Sequence, residues 1–250
     1  MRPDLLLVSA GFVAGAMNAL AGGGSFVSFP ALVFAGLPSL AANASSTVAL
    51  FPGTLTSAYT YRRELRGFES LSMRALVPVS LVGGLAGALL LLFTPQATFD
   101  RVIPWLLLVG TLAFAFGRQA GATLRRFVRI GPTTLLAGQF LLAVYGGYFG
   151  GAVGLLMMAV WSLFGVTDVR AMSAARTLLV TVTNSIAVVC FVVAGKVVWV
   201  PAAIMGLAAI GGGYAGARVG RRIDPVRLRL LINLFNVAMT VVFFARAFRR

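Results

Sequence analysis

The residues of this chain best equipped to meet a solute are glycines, hydroxyls and arginines rather than acids or imidazoles. Gly22-Gly23-Gly24-Ser25 stands between two apolar stretches, and Gly146-Gly147 with Gly150-Gly151 stands between two more. Glycine permits φ > 0 and close backbone approach, and Ser25 is a good N-cap for a helix that follows. Amides left unpaired at such a start, together with the helix dipole, attract an anion. Consecutive glycines exceed what helix packing needs. The spaced Gly15, Gly83, Gly87, Gly212 and Gly216 read better as close helix contacts.

Two polar clusters lie downstream of these glycines. Asn43-Ala44-Ser45-Ser46-Thr47 opens the third apolar segment. It either caps that helix or forms a ring of donors facing the Gly22 loop, with Asn18 facing the same region. Pro52-Gly53 follows, flanked by Thr54, Thr56 and Ser57, and predicts a broken helix that acts as a hinge. In the second half, Ser173-Ala174-Ala175-Arg176-Thr177 aligns with the first cluster, and Thr181, Thr183, Asn184 and Ser185 follow. The Arg176 guanidinium offers a planar fork that matches sulfonate, sulfite or carboxylate oxygens. The competing reading has it snorkelling to lipid headgroups or pairing with Asp168. The expected substrate site is therefore Asn18, Gly22, Gly23, Gly24, Ser25, Ser45, Ser46, Thr47, Gly150, Gly151, Arg176, Thr177 and Asn184.

Other chemistries lack their residues. The chain has no histidine, so neither a Ser–His protease nor a His-based metal site can be built. Its six carboxylates, Asp4, Glu64, Glu69, Asp100, Asp168 and Asp224, all fall at segment ends or in connections. No midplane acid relays protons or binds a cation. There is no P-loop, and Cys190 is the single cysteine, so no intrachain disulfide forms. The chain is expected to be no enzyme and to need no cofactor or metal. Its net charge of +15 is spread over separate loops, which disfavours nucleic acid and favours the lipid bilayer as partner.

The elements that must position these residues are membrane helices. Of the 250 residues, 59% are hydrophobic, and the mean hydropathy is +0.95. Apolar segments run over about 5–21, 25–37, 44–61, 71–93 and 100–117, then 130–149, 152–165, 173–194, 198–217 and 228–248. The second segment of each set is short: about 13 residues span about 20 Å, against a hydrocarbon core of about 30 Å. It either crosses or re-enters. The first segment resembles a cleavable signal, but Gly11, Gly15 and Asn18 interrupt it and a comparable helix recurs later. A retained helix is therefore expected.

A shift of 129 residues aligns Gly22 with Gly151, Thr54 with Thr183, and Gly84 and Gly87 with Gly213 and Gly216. We read one transmembrane domain, 1–250, made of internal repeats over about 1–121 and 130–250 with a linker over about 118–129. Arginines concentrate near 62–74, in the linker and near 218–229, while the turn at 94–100 has none. Placing the rich loops together in the cytoplasm requires an odd number of crossings per half. The fold class is thus an all-α integral membrane protein of two inverted repeats, each of about five apolar segments. The tail with Arg246, Arg249 and Arg250 runs counter to this assignment.

The string from Gly11 through Asn18 to Ser25 resembles the start of the sulfite exporter TauE/SafE family. So do Pro30, Gly36-Leu37-Pro38, the Asn43–Thr47 cluster and Tyr59-Thr60-Tyr61-Arg62-Arg63. The stretch from Gly146 to Gly216 is similar to that family's divergent second repeat. The resemblance implies transport of sulfite, sulfoacetate, thiosulfate or related sulfonates and organic acids across a bacterial or archaeal inner membrane. It also places Gly22–Ser25, Ser45–Thr47 and the residues around Arg176 and Asn184 in the family's glycine-rich and polar motifs. The expectation is a secondary transporter or facilitator of a small anion, working by alternating access. A passive anion pore and a non-transporting membrane assembly factor are the alternatives.

Overall fold

A computed structural model describes residues 3–20, 22–62, 72–124, 131–163, 169–219 and 225–248. Arg63, Glu64, Glu69, Asp168, Asp224, Arg249 and Arg250, named above, lie outside this set, as do several arginines of the linker and of the stretches near 62–74 and 218–229. The described residues form ten helices and no strand. They are α1 Pro3–Leu20, α2 Ser25–Phe34, α3 Ser39–Tyr61, α4 Met73–Phe93 and α5 Gln96–Leu124, then α6 Pro132–Tyr148, α7 Val153–Leu163, α8 Val169–Val193, α9 Trp199–Val219 and α10 Pro225–Phe248. Five of them hold stretches long and apolar enough to cross a membrane: Met73–Phe93, Gln96–Phe116, Ala171–Val193, Trp199–Gly216 and Leu230–Phe248. Their outer faces expose large apolar side chains such as Phe93 and Leu207, as lipid requires. This is an all-α multi-pass membrane protein.

Local chemistry sets the helix ends. Gly36 takes φ +98 after α2, and Leu37 N donates back to Leu32 O, closing the six-residue loop typical of a glycine-terminated helix. Gly195 does the same after α8 with φ +64, Lys196 N donating to Phe191 O. Pro38 and Pro132 stand at the starts of α3 and α6, where a missing N–H costs nothing. Two ends differ from the sequence reading. α3 begins at Ser39 rather than 44, directly after Pro38. α5 continues to Leu124, into the stretch read as linker, where Arg118, Gln119, Ala120 and Ala122 are good helix formers.

Small residues decide which helices pair. α1 lies along α9 in the same direction: Gly11 faces Met205 and Ala208, and Gly15 faces Ala209. A side chain at Gly15 would collide with the Ala209 carbonyl, and one at Gly212 with the Phe12 carbonyl. α4 lies along α6 in the same way. Ser80 accepts from Gln139 at 2.9 Å, Gly83 faces Phe140 and Ala143, and Thr94 meets the Tyr148 hydroxyl at 3.4 Å. Such backbone contact maximises van der Waals packing where lipid offers no hydrophobic drive. α5 and α10 instead run in opposite directions. Trp105 packs edge-on to Phe244, while further along α5 Thr111 meets Thr240, earlier on α10.

The core is filled by Phe26, Phe29, Phe99 and Phe149 around the inner faces of α2 and α5. Several polar side chains buried beside it find partners. Gln139 donates to Ser80 and accepts from Trp161 Nε1 at 3.2 Å. At the start of α3, Ser39 hydrogen-bonds to Gln96 and Asp100, tying α3 to α5.

Candidate functional site

A cavity of about 580 Å³ lies among α1, α2, α3, α7, α8 and α9. Both interruptions of the chain lead into it. After α1, Gly22 adopts φ +74 and the chain reverses into α2 three residues later. After α6, Gly150 adopts φ +74, again three residues before the helix start at Val153. The shared backbone shape pairs Gly22 with Gly150, not with Gly151 as the 129-residue shift had it. Ala152 also takes a positive φ, +57, a strained conformation for an alanine, and it too lines the cavity.

At these starts the backbone offers donors. Phe26, Val27 and Ser28 N–H groups bond back to Gly23 and Gly24 carbonyls, and Gly24 N–H donates to Asn18 Oδ1 at 3.3 Å. Among the described residues, no protein acceptor meets the amides of Gly23 and Ser25. At α7, Leu155 and Leu156 bond to Ala152 O, and the amides of Val153 and Gly154 are left in the same condition. Two helix N-termini thus present amides and partial positive charge to one space.

Arg176 joins the two. It rises from α8, half-buried, and its guanidinium lies so close that a Cβ on Gly22 would stand 3.2 Å from Nη1. Its aliphatic stem passes Gly154, where a Cβ would come within 2.9 Å of Cδ. Glycine at 22 and 154 is therefore what lets this side chain reach across.

The expected site residues divide. Asn18, Gly22, Gly23 and Ser25 line the cavity from α1 and α2, Thr47 from α3, Gly150 from the second break, and Arg176, Thr177 and Asn184 from α8. Pro52 and Gly53 line it as well, but α3 runs unbroken through them from Ser39 to Tyr61, in place of the broken helix the sequence predicts. Pro52 removes one amide, and the turns on either side hold the rod. Gly24, Ser45, Ser46 and Gly151 are not part of the lining. Gly24 packs against the Ala14 carbonyl. Ser45 accepts from Val198 N at 2.9 Å, and Ser46 shares a 2.6 Å bond with Ser28. Gly151 lies under the Phe149 ring.

The hydroxyls also differ from the expected ring of donors. Thr47 donates to Asn43 O, Thr54 to Phe51 O, Ser57 to Gly53 O and Thr177 to Ser173 O. Each proton is spent on the side chain's own helix, which leaves these lining hydroxyls as acceptors. The contribution of α9, through Gly206, Ile210, Gly213 and Tyr214, went unread in the sequence. Its signal was small residues at helical spacing on the face beside the one packed against α1. The lining climbs α3 from Thr47 to Thr60, about 20 Å, toward the helix ends where Arg62 stacks on Tyr59 at 3.6 Å and Arg218 bonds the Tyr214 hydroxyl at 2.6 Å.

Residues 7–243 match the family model described as sulfite exporter TauE/SafE. The chain belongs to that family. It is 29% identical over 237 residues to the "Probable membrane transporter protein YfcA" of Escherichia coli K12, covering 94% of this chain and 85% of that one. It is 27% identical over 250 residues to a "Probable membrane transporter protein" of Haemophilus influenzae, covering 97% and 94%. The "Probable membrane transporter protein ORF9" of a Sinorhizobium species is 28% identical over 242 residues, covering 94% and 90%. No solved structure matches the chain significantly. This member of a membrane transporter family therefore carries its cavity within the part shared with the relatives.

Proposed function

We propose that the protein is a secondary transporter or facilitator that moves a small sulfur-containing or organic anion, sulfite or a sulfonate, across the bacterial or archaeal inner membrane by alternating access. One observation carries this reading: two interrupted helices aim unpaired amides into one cavity, and Arg176 bridges their starts. Amides and a guanidinium stabilise negative charge without any acid that would have to be neutralised. No catalytic step is assigned to the chain.

We also infer that the single domain is built from two inverted repeats. The helix pairs exchange as such repeats require, α1 with α9 answering to α6 with α4. The equivalent helices α5 and α10 lie side by side in opposite directions, whereas parallel repeats would align them. Loops rich in arginine then share one membrane face, assigned to the cytoplasm.

The test is flux of sulfite and sulfonates into proteoliposomes holding the purified protein. Saturable uptake without unitary currents supports a carrier. Single-channel currents would make it a pore, and the absence of any saturable anion dependence would leave an assembly factor.

A further inference from the structure

The cavity is two-sided. Its donors sit at the helix starts around Gly23, Ser25 and Arg176. Along the rest of the lining, Thr47, Thr54, Thr56, Ser57, Thr60 and Thr177 all give their protons to carbonyls of their own helices, which leaves their oxygens as acceptors. Asn184 adds a buried amide, 8% exposed, whose Oδ1 meets no donor in the protein. A ligand made only of acceptors would satisfy the first side and leave the second side facing oxygen with oxygen. Asn184 Oδ1 is the buried atom of that side, and a buried polar atom without a partner is costly, so the matching ligand brings a donor of its own.

The charge balance points the same way. Taking each element around the cavity in turn, α1, α2, α3 and α7 contribute no ionisable lining residue among the described residues, α8 contributes Arg176, and α9 contributes the Tyr214 phenol. Arg62 and Arg218 stand beyond the lining at the ends of α3 and α9. The cavity thus offers at most one full positive charge near the amides. A dianion would keep an uncompensated charge in a low-dielectric space. No carboxylate or imidazole of the described lining can take up a proton, and the chain contains no histidine at all.

We propose that the site accepts its oxyanion as a monoanion that retains one acidic proton, as hydrogensulfite does, and that this proton travels on the substrate rather than through the protein. The anionic oxygens meet the amides and Arg176, and the retained O–H donates to the hydroxyl wall. The proton enters and leaves on the ligand, so transport is pH-dependent although the described lining holds no carboxylate or imidazole. This rests on the anion-transport reading above and narrows it to one protonation state.

The experiment compares sulfite with methanesulfonate, a permanent monoanion with no proton to donate, in proteoliposomes across the pH range in which sulfite passes from monoanion to dianion. The KM for total sulfite should rise about tenfold per pH unit once the dianion dominates, and stay constant when expressed as hydrogensulfite. Methanesulfonate should show a flat pH profile and bind about three- to tenfold more weakly than hydrogensulfite, or go uncarried. Thr47→Val, which keeps shape but removes an acceptor, should narrow that ratio, with a thermal melt in detergent reporting that the variant is folded. Asp168→Asn should leave the sulfite profile unchanged. A sulfite KM indifferent to pH, a methanesulfonate profile that follows that of sulfite, or a profile abolished by Asp168→Asn would each overturn the proposal while leaving the transporter reading intact. Absence of saturable flux for both anions would sink the transporter reading itself.

Discussion

Thr111 on α5 and Thr240 on α10 share a hydrogen bond of 3.0 Å although 129 residues separate them, the offset read from the sequence as an internal repeat. Thr240 also donates to Asn236 O at 2.8 Å, so the proton between the threonines comes from Thr111. Both hydroxyls are buried. In the inverted-repeat reading proposed above, such a contact between counterparts would lie on the line relating the halves. Thr111→Val and Thr240→Val should each lower stability by about 1 kcal/mol. The double variant should cost less than the sum, read by thermal melts in detergent.

Glycines that look alike in sequence should behave differently. Gly15→Leu and Gly212→Val drive a side chain into the backbone of the facing helix, and each should cost about 3 kcal/mol or more, with little folded protein recovered. Gly53 has nothing within 4 Å of a built Cβ. Gly53→Ala should melt within about 0.5 kcal/mol of the parent. Size-exclusion profiles and melts of the purified variants decide this.

Gly22 and Gly23 offer a sharper contrast. Gly22→Ala places an alanine at φ +74 and a methyl against the Arg176 guanidinium. It should cost about 1–2 kcal/mol in stability and raise the KM for the transported anion. Gly23→Ala meets only the Met17 methyl at 4.0 Å and should be close to silent. Anion flux measured beside melting temperature separates the two effects.

Ser46 serves packing rather than the cavity. Its hydroxyl is bound to Ser28 at 2.6 Å, away from the lining. Ser46→Ala should lower stability by about 1 kcal/mol and leave KM unchanged, and a raised KM without lost stability would contradict this placement.

Arg176→Ala removes the charged group between the helix starts. The KM for sulfite should rise about 10- to 100-fold. Arg176→Lys should recover part of this, because a point charge remains but the two-pronged fork is lost. Concentration-dependent flux in proteoliposomes measures both.

Much of the architecture could be read from hydropathy. Segments at 71–93 and 198–217 fall close to α4 and α9, because apolar runs between charged ends leave little freedom. The end of α5 was not legible: leaving the bilayer and leaving the helix are different events, and hydropathy reports only the first. The glycine breaks pointed to the cavity because Gly22 and Gly150 turn the chain there at positive φ, although Gly24 and Gly147 beside them serve close packing. Which of Ser45, Ser46 and Thr47 would face it was hidden. Three neighbouring residues on a helix point in three directions, and only the position of α9 decides that Ser45 meets Val198. The direction of each hydroxyl proton was hidden as well, since the helix's own carbonyls compete for it at every turn.

The seam between α1 and α9 leaves no room for a methyl group between the two backbones. Rods in such contact cannot slide or part without opening a void along their length, and the same holds for α4 against α6. Each of these rigid couples takes one member from either side of the chain's midpoint. In the alternating-access reading proposed here, the moving bodies would be hybrids, and the gene's two halves would not be the machine's two halves.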